Sequence, residues 1–231
     1  EEHLAFSGML ANGIVHDFRN PMSSMRLDVQ MLHRETERGD GARPERMGKL
    51  ATRVRSTLDR MDKVFQEFLY VSRPDRDDRT RVDLVSCIHD SLEMLLPRFE
   101  KAEVSSEVHA PPEGVAVSAY EGSLRRALVN VLTNAEEFSP AGKTVTVNIR
   151  KSGETAIVDI IDSGPGVPEH KRKQIFDMFI TERPEGTGLG LFLAKAAIER
   201  SGGTIEVANP PSGQGTCVRI TLPLSAGTET A

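Results

Sequence analysis

Ala156-Ile157-Val158-Asp159-Ile160-Ile161 runs directly into Asp162-Ser163-Gly164-Pro165-Gly166. A short, nearly continuous apolar run suits a strand inside a sheet, and the turn residues after it leave a carboxylate at the strand's end. Upstream, Thr144–Arg150 alternates, and Ser152-Gly153 separates the two runs as in a hairpin. Before that, Glu121 to Phe138 is an amphipathic helix on Leu124, Leu128, Val131 and Leu132. Downstream come a helix over Leu189 to Arg200 and strands over Gly203–Ala208 and Thr216–Leu222. On the other side lie a helix over Leu84 to Phe99 and short strands over Val104–Val108 and Val115–Val117. The whole is a mixed sheet with helices, an α/β sandwich within an α+β chain.

Further out, the texture changes. Ala11, Ile14, Phe18, Met22, Met25, Val29 and Leu32 recur at helical spacing within a long helix from about Leu4 to Arg38. Gly39-Asp40-Gly41 breaks it. From Pro44 a second stripe runs through Leu50, Val54, Leu58, Met61, Phe65 and Phe68, and Arg73-Pro74 stops it. Two helices cannot enclose a core, so pairing with a second copy is expected, giving a four-helix bundle in a homodimer. The expected division is an antiparallel helical hairpin over 1–73, a charged linker over 74–80, a sheet domain over 81–225 and a disordered tail over 226–231.

The 231 residues carry a net charge of −5, which argues against a broad basic footprint for nucleic acid. Two distant cysteines, Cys87 and Cys217, suggest free thiols in a reducing compartment. No apolar run is long enough to span a membrane. The chain begins Glu1-Glu2 inside a helical pattern, so it is expected to be a cytoplasmic fragment, with room upstream for a sensor or a membrane anchor.

Three groups carry possible chemistry. On a helical wheel His16 points away from Ile14 and Phe18, on the same outward face as Asn12, Asn20 and Ser23. Asp17 beside it can accept or orient the ring proton, and Asn20 can bind a water or phosphoryl group near the ring. Pro21 interrupts the helix one turn on. His3, His33, His89, His109 and His170 are taken as surface residues. Asp162 can accept from an exocyclic amine, with Gly164 and Gly166 letting backbone approach a flat base; a plain tight turn is the alternative. Asn130 and Asn134 share a helix face with hard amide oxygens that suit Mg²⁺, or they are simply a solvated face. Glu136 or Glu137 can serve as a base or reach the metal through water. Gly186-Thr187-Gly188-Leu189-Gly190-Leu191 opens a helix, where free N–H groups attract an anion, but it matches neither the dinucleotide fingerprint nor Walker A.

Taken in order, these pieces resemble the histidine kinase family of two-component signalling. His16-Asp17-Phe18-Arg19-Asn20-Pro21 resembles its phosphoacceptor box, Asn130 to Phe138 its Asn box, and Asp162 to Gly166 its first glycine box. Phe176-Asp177-Met178-Phe179 resembles its phenylalanine box, Gly186 to Leu191 its second glycine box, and Gly213 to Thr216 its terminal glycine turn.

The resemblance implies an ATP-dependent protein-histidine kinase, with a phosphotransfer hairpin and an ATP domain of the type shared with Hsp90 and gyrase. It implies that Asp162 binds the adenine amine, that Asn134 with Asn130 holds Mg²⁺, and that Gly188 to Leu191 meet the phosphates beside Thr187. It further implies that Asp17 is the base for phosphorylation of His16, and that Asn20 positions water for dephosphorylating a response-regulator receiver domain. Many relatives carry Lys where Glu137 stands; Arg183 in a short lid, Thr181–Glu185, is the candidate replacement. Another ATPase or serine kinase of the superfamily, or a non-catalytic dimeric phosphotransfer scaffold, remains the alternative.

Overall fold

The computed structural model describes residues 21–72, 78–178, 180–181, 183, 186–210 and 213–225; the side chains of 40, 60 and 63–72 also lie outside that description. The chain divides into two units, 1–74 with 181–189, and 75–180 with 190–231.

The first unit is a helical hairpin. Its helices are α1, described over 21–36, and α2, Pro44–Ser72, joined through a 3-10 turn at Gly39–Gly41. Two ionic rungs cross between them. Asp28 faces Arg53 at 3.0 Å, and Glu35 faces Arg46 at 3.1 Å with Arg38 on the same oxygen. The rungs lie seven residues apart on each helix and in opposite directions, so they report antiparallel pairing. Both carboxylates are almost fully buried. Glu35 Oε2 has no hydrogen-bond partner among the described residues, and Arg53 meets Asp28 as an ion pair without hydrogen-bond geometry. Leu50 is buried, but Met22, Val29 and Leu58 are exposed, as expected of stripes that two helices cannot cover; Leu27, off the stripe, is exposed as well.

The described residues of the second unit include seven strands: β1 Thr80–Asp83, β2 Ser105–His109, β3 Ala116–Ala119, β4 Thr144–Ser152, β5 Thr155–Ile161, β6 Thr204–Ala208 and β7 Cys217–Pro223. Five of them form a mixed sheet in the order β2-β4-β5-β7-β6, with β2 parallel to β4 and the other pairs antiparallel. Register sorts the faces. Val147, Ile160 and Val218 align across three strands, as do Ile149, Val158 and Ile220. These residues are buried in one core with Ile88, Leu124, Leu128, Leu132 and Ile198 of the helical layer.

On the opposite face Asn148, Asp159, Arg219 and Glu206 align, and Arg219 grips Asp159 with two bonds of 2.6 and 3.0 Å. The core layer comes from α3 Leu84–Lys101, α4 Glu121–Phe138 and α5 Gly190–Arg200. Asp83 starts α3 by accepting from the Val85 N–H.

One expectation needs correction. The strand β1 pairs antiparallel with β3, so the stretch read as linker to residue 80 already enters the fold there. Its only buried residue is Val82, too little apolar pattern to register without the partner strand. Residues 73–77 and 226–231, read as linker and tail, lie outside the described residues. No described helix is long and apolar enough to cross a membrane.

Candidate active site

Strand pairing continues one step past β5. The Asp162 N–H donates to Thr216 O at 2.9 Å, which brings the Asp162 turn against the turn before β7. The carboxylate then folds back. Its Oδ1 accepts from the Gly164 N–H at 2.8 Å and from the Thr216 N–H at 2.9 Å, and the Thr216 hydroxyl bonds to the carboxylate as well. Asp162 is 8% exposed. Burial pushes its pKa up, while those donors act in the opposite direction.

The neighbouring glycines leave no room for side chains. A Cβ on Gly164 would come 2.8 Å from Phe138 O, and one on Gly166, whose φ is +79°, would come 3.1 Å from Gly215 O. A buried, oriented carboxylate beside side-chain-free backbone suits a flat base that offers an amine.

The end of α4 is joined to this turn. Ser139 Oγ donates to Ala135 O and accepts from the Ser163 N–H at 3.3 Å. One turn back on α4, Asn134 is half-buried. Asn130 donates through Nδ2 to Gly190 O at 3.0 Å, where α5 begins. That bond orients the amide and leaves Oδ1 as its acceptor, the hard oxygen that a magnesium ion prefers. Among the described residues no group of three or more His, Cys, Asp and Glu is placed to hold a metal ion.

The acidic pair after Asn134 is already engaged. Arg98 on α3 reaches Glu136 Oε2 at 2.9 Å through Nη2 and 3.2 Å through Nε, and Glu137 Oε1 at 2.8 Å. Glu136 is buried. Both acids, read as a base or a water-mediated metal contact, thus share one guanidinium.

Asp162, Gly164, Gly166, Asn130, Asn134, Gly190 and Leu191 all belong to the second unit. Arg183, Thr187, Gly188 and Leu189 belong to the first. Within that segment the Arg183 N–H donates to Thr181 Oγ1 at 3.1 Å, and the Gly186 N–H donates to Arg183 O at 3.2 Å. The Leu189 N–H donates to Thr187 Oγ1 at 3.4 Å, and Gly188 has φ +69°. His16, Asp17 and Asn20 lie outside the described residues. Sequence reasoning missed Thr216, Ser139 and Arg98 as supports. Thr216 stands in a quoted glycine turn, which was the available signal; nothing local marked Arg98.

Two family models match the chain. The His Kinase A (phospho-acceptor) domain covers residues 7–77, and the histidine kinase-, DNA gyrase B- and HSP90-like ATPase covers 119–226. The signal transduction histidine-protein kinase AtoS of Escherichia coli is 31% identical over 97% of this chain and 36% of its own length. The mycobacterial sensor histidine kinase MprB, a solved structure, is 32% identical with a TM-score of 0.57, over 65% of this chain and all of that one. The histidine kinase ThkA, solved in complex with the response regulator protein TrrA, shares the fold at a TM-score of 0.70 and 20% identity, over 97% of this chain and 64% of that one. The chain spans less than half the length of the curated relatives it matches. A phosphoacceptor hairpin followed by an ATPase-type sheet domain, with relatives of one kind, means that this chain belongs to the sensor histidine kinases of two-component signalling.

Proposed function

We propose that this chain phosphorylates His16 from Mg-ATP and passes the phosphoryl group to the aspartate of a response-regulator receiver domain. The observation that carries the ATP half is Asp162, a buried carboxylate oriented by Gly164 and Thr216 beside glycines that admit no side chain. It accepts from the adenine amine, with Gly164 and Gly166 against the ring. Asn130 and Asn134 hold Mg²⁺, while Thr187 to Leu191 and Arg183 attend the phosphates. Bound Mg-ATP supplies the phosphoryl group and neutralises charge on it.

His16 receives the phosphoryl group on one ring nitrogen, and Asp17 holds the proton of the other. The N–P bond forms as the P–O bond to ADP breaks. Asn20 places a water for removing phosphate from the receiver, which gives the chain a phosphatase role as well. The exposed Met22, Val29 and Leu58 on the hairpin support a homodimer through residues 1–73. The full protein works in the cytoplasm, as a whole or as the inner part of an anchored sensor.

The test is incubation of the full chain with γ-labelled Mg-ATP. Label that is acid-labile and alkali-stable, and that disappears in His16→Ala while nucleotide binding persists, is the expected result. Acid-stable label or free phosphate alone points to another ATPase of the superfamily, and no turnover points to a scaffold.

A further inference from the structure

The back end of α5 is finished by a residue from outside the helix. Its C-terminus is a Schellman motif: the Gly202 N–H donates to Glu199 O at 2.9 Å, the Gly203 N–H donates to Ile198 O at 3.0 Å, and Gly202 has φ +74°. That leaves the carbonyl of Ser201, a fully buried residue, without a partner inside the motif. Arg79 supplies one. Its Nη2 donates to Ser201 O at 2.6 Å, while its Nε donates to Ser118 O on β3 at 3.0 Å. A fixed positive charge also suits the negative end of a helix.

Arg79 comes just ahead of β1, among the first described residues of the second unit. The helix it caps is 11 residues long, roughly 16 Å of rigid rod. At the far end of that rod Gly190 O accepts from Asn130, one of the proposed magnesium ligands. Arg79 thus ties the chain segment that enters the domain to the helix whose opposite end fixes Asn130.

We propose that Arg79 is a positioning residue for phosphoryl transfer: it sets α5, and through Gly190 the orientation of Asn130, from the segment that leads into the domain. The inference rests on the proposed ATP reading, since it assigns α5's first turn to the phosphates. Adenine recognition at Asp162 uses β5 and β7 and is independent of this tie. Losing Arg79 therefore disturbs alignment of the phosphates more than capture of the nucleotide.

The experiment compares wild type, Arg79→Gln and Arg79→Lys as full chains. It measures the Kd of a non-hydrolysable Mg-ATP analogue, together with kcat and KM for His16 labelling. Arg79→Gln is expected to bind the analogue within about threefold of wild type and to label about tenfold or more slowly, as a small misalignment of reacting groups does. Arg79→Lys, which keeps the charge but cannot serve two carbonyls in fixed geometry, is expected between the two.

Wild-type kcat in Arg79→Gln overturns the proposal. So does a rise in Kd that accounts for the whole loss, because it would make Arg79 a structural support of nucleotide capture. If Arg79→Gln does not fold, Arg79→Lys decides: an unchanged kcat overturns the proposal and a selective loss of kcat supports it. Absence of any histidine label in the wild type would instead remove the proposed function on which this inference stands.

Discussion

Replacing Gly215 by alanine perturbs the Asp162 site without removing a polar group. Gly215 has φ +84°, where an L side chain costs about 1–2 kcal/mol. The added Cβ would also fall inside contact distance of Asp162 O, 2.9 Å from Asp162 C and 3.3 Å from its Oδ1. Backbone on both sides must shift, and overpacking of this kind costs about 1–3 kcal/mol more.

Gly213 is the control. Its φ is +71° but nothing lies within 4 Å of a Cβ there, so Gly213→Ala carries only the backbone cost. The expected difference between the two variants is therefore about 1–3 kcal/mol, seen as a Tm lower by about 3–10 °C in Gly215→Ala than in Gly213→Ala. Circular dichroism melts of the two proteins measure it. The displaced Thr216 N–H should also loosen Asp162, so nucleotide affinity should fall in Gly215→Ala and hold in Gly213→Ala. Equal melting temperatures with equal affinities would refute the packing reasoning.

Arg98→Met leaves the buried Glu136 carboxylate without its cation; since Arg98 is itself half exposed, the expected loss is about 1–3 kcal/mol. Adding Glu136→Gln should recover part of it in a denaturation series, and no recovery would mean that the charge was not the cause. Burial pushes the Cys87 and Cys217 thiols up to about 11, so a thiol reagent at neutral pH should label neither until the protein is denatured. Because both native values lie above the ordinary 9.0, the unfolded chain releases these protons first. Stability should therefore be intact below pH 9 and decline as pH rises toward about 11, which melts across that range will show.

Apart from β1, the order of helices and strands in the second unit was legible because each of them has its own period. Glu121–Phe138 and the Thr144–Ile161 hairpin need no distant partner to declare themselves. The glycine turns were equally legible, because glycine takes the positive φ found at Gly166, Gly188 and Gly215 without the cost that a side chain brings. The supports of the site were not. Arg98 meets Glu136 across 38 residues, Thr216 meets Asp162 across 54, and Arg79 meets Ser201 across 122.

β1 became a strand only by pairing with β3, and Asp28 and Glu35 became buried only when α2 brought Arg53 and Arg46 opposite them. Local periodicity encodes which face of an element avoids water, and so the sequence alone determined the elements and the candidate chemistry. Which charge meets which carbonyl or carboxylate depends on how those elements close in space, and that the tertiary structure decided.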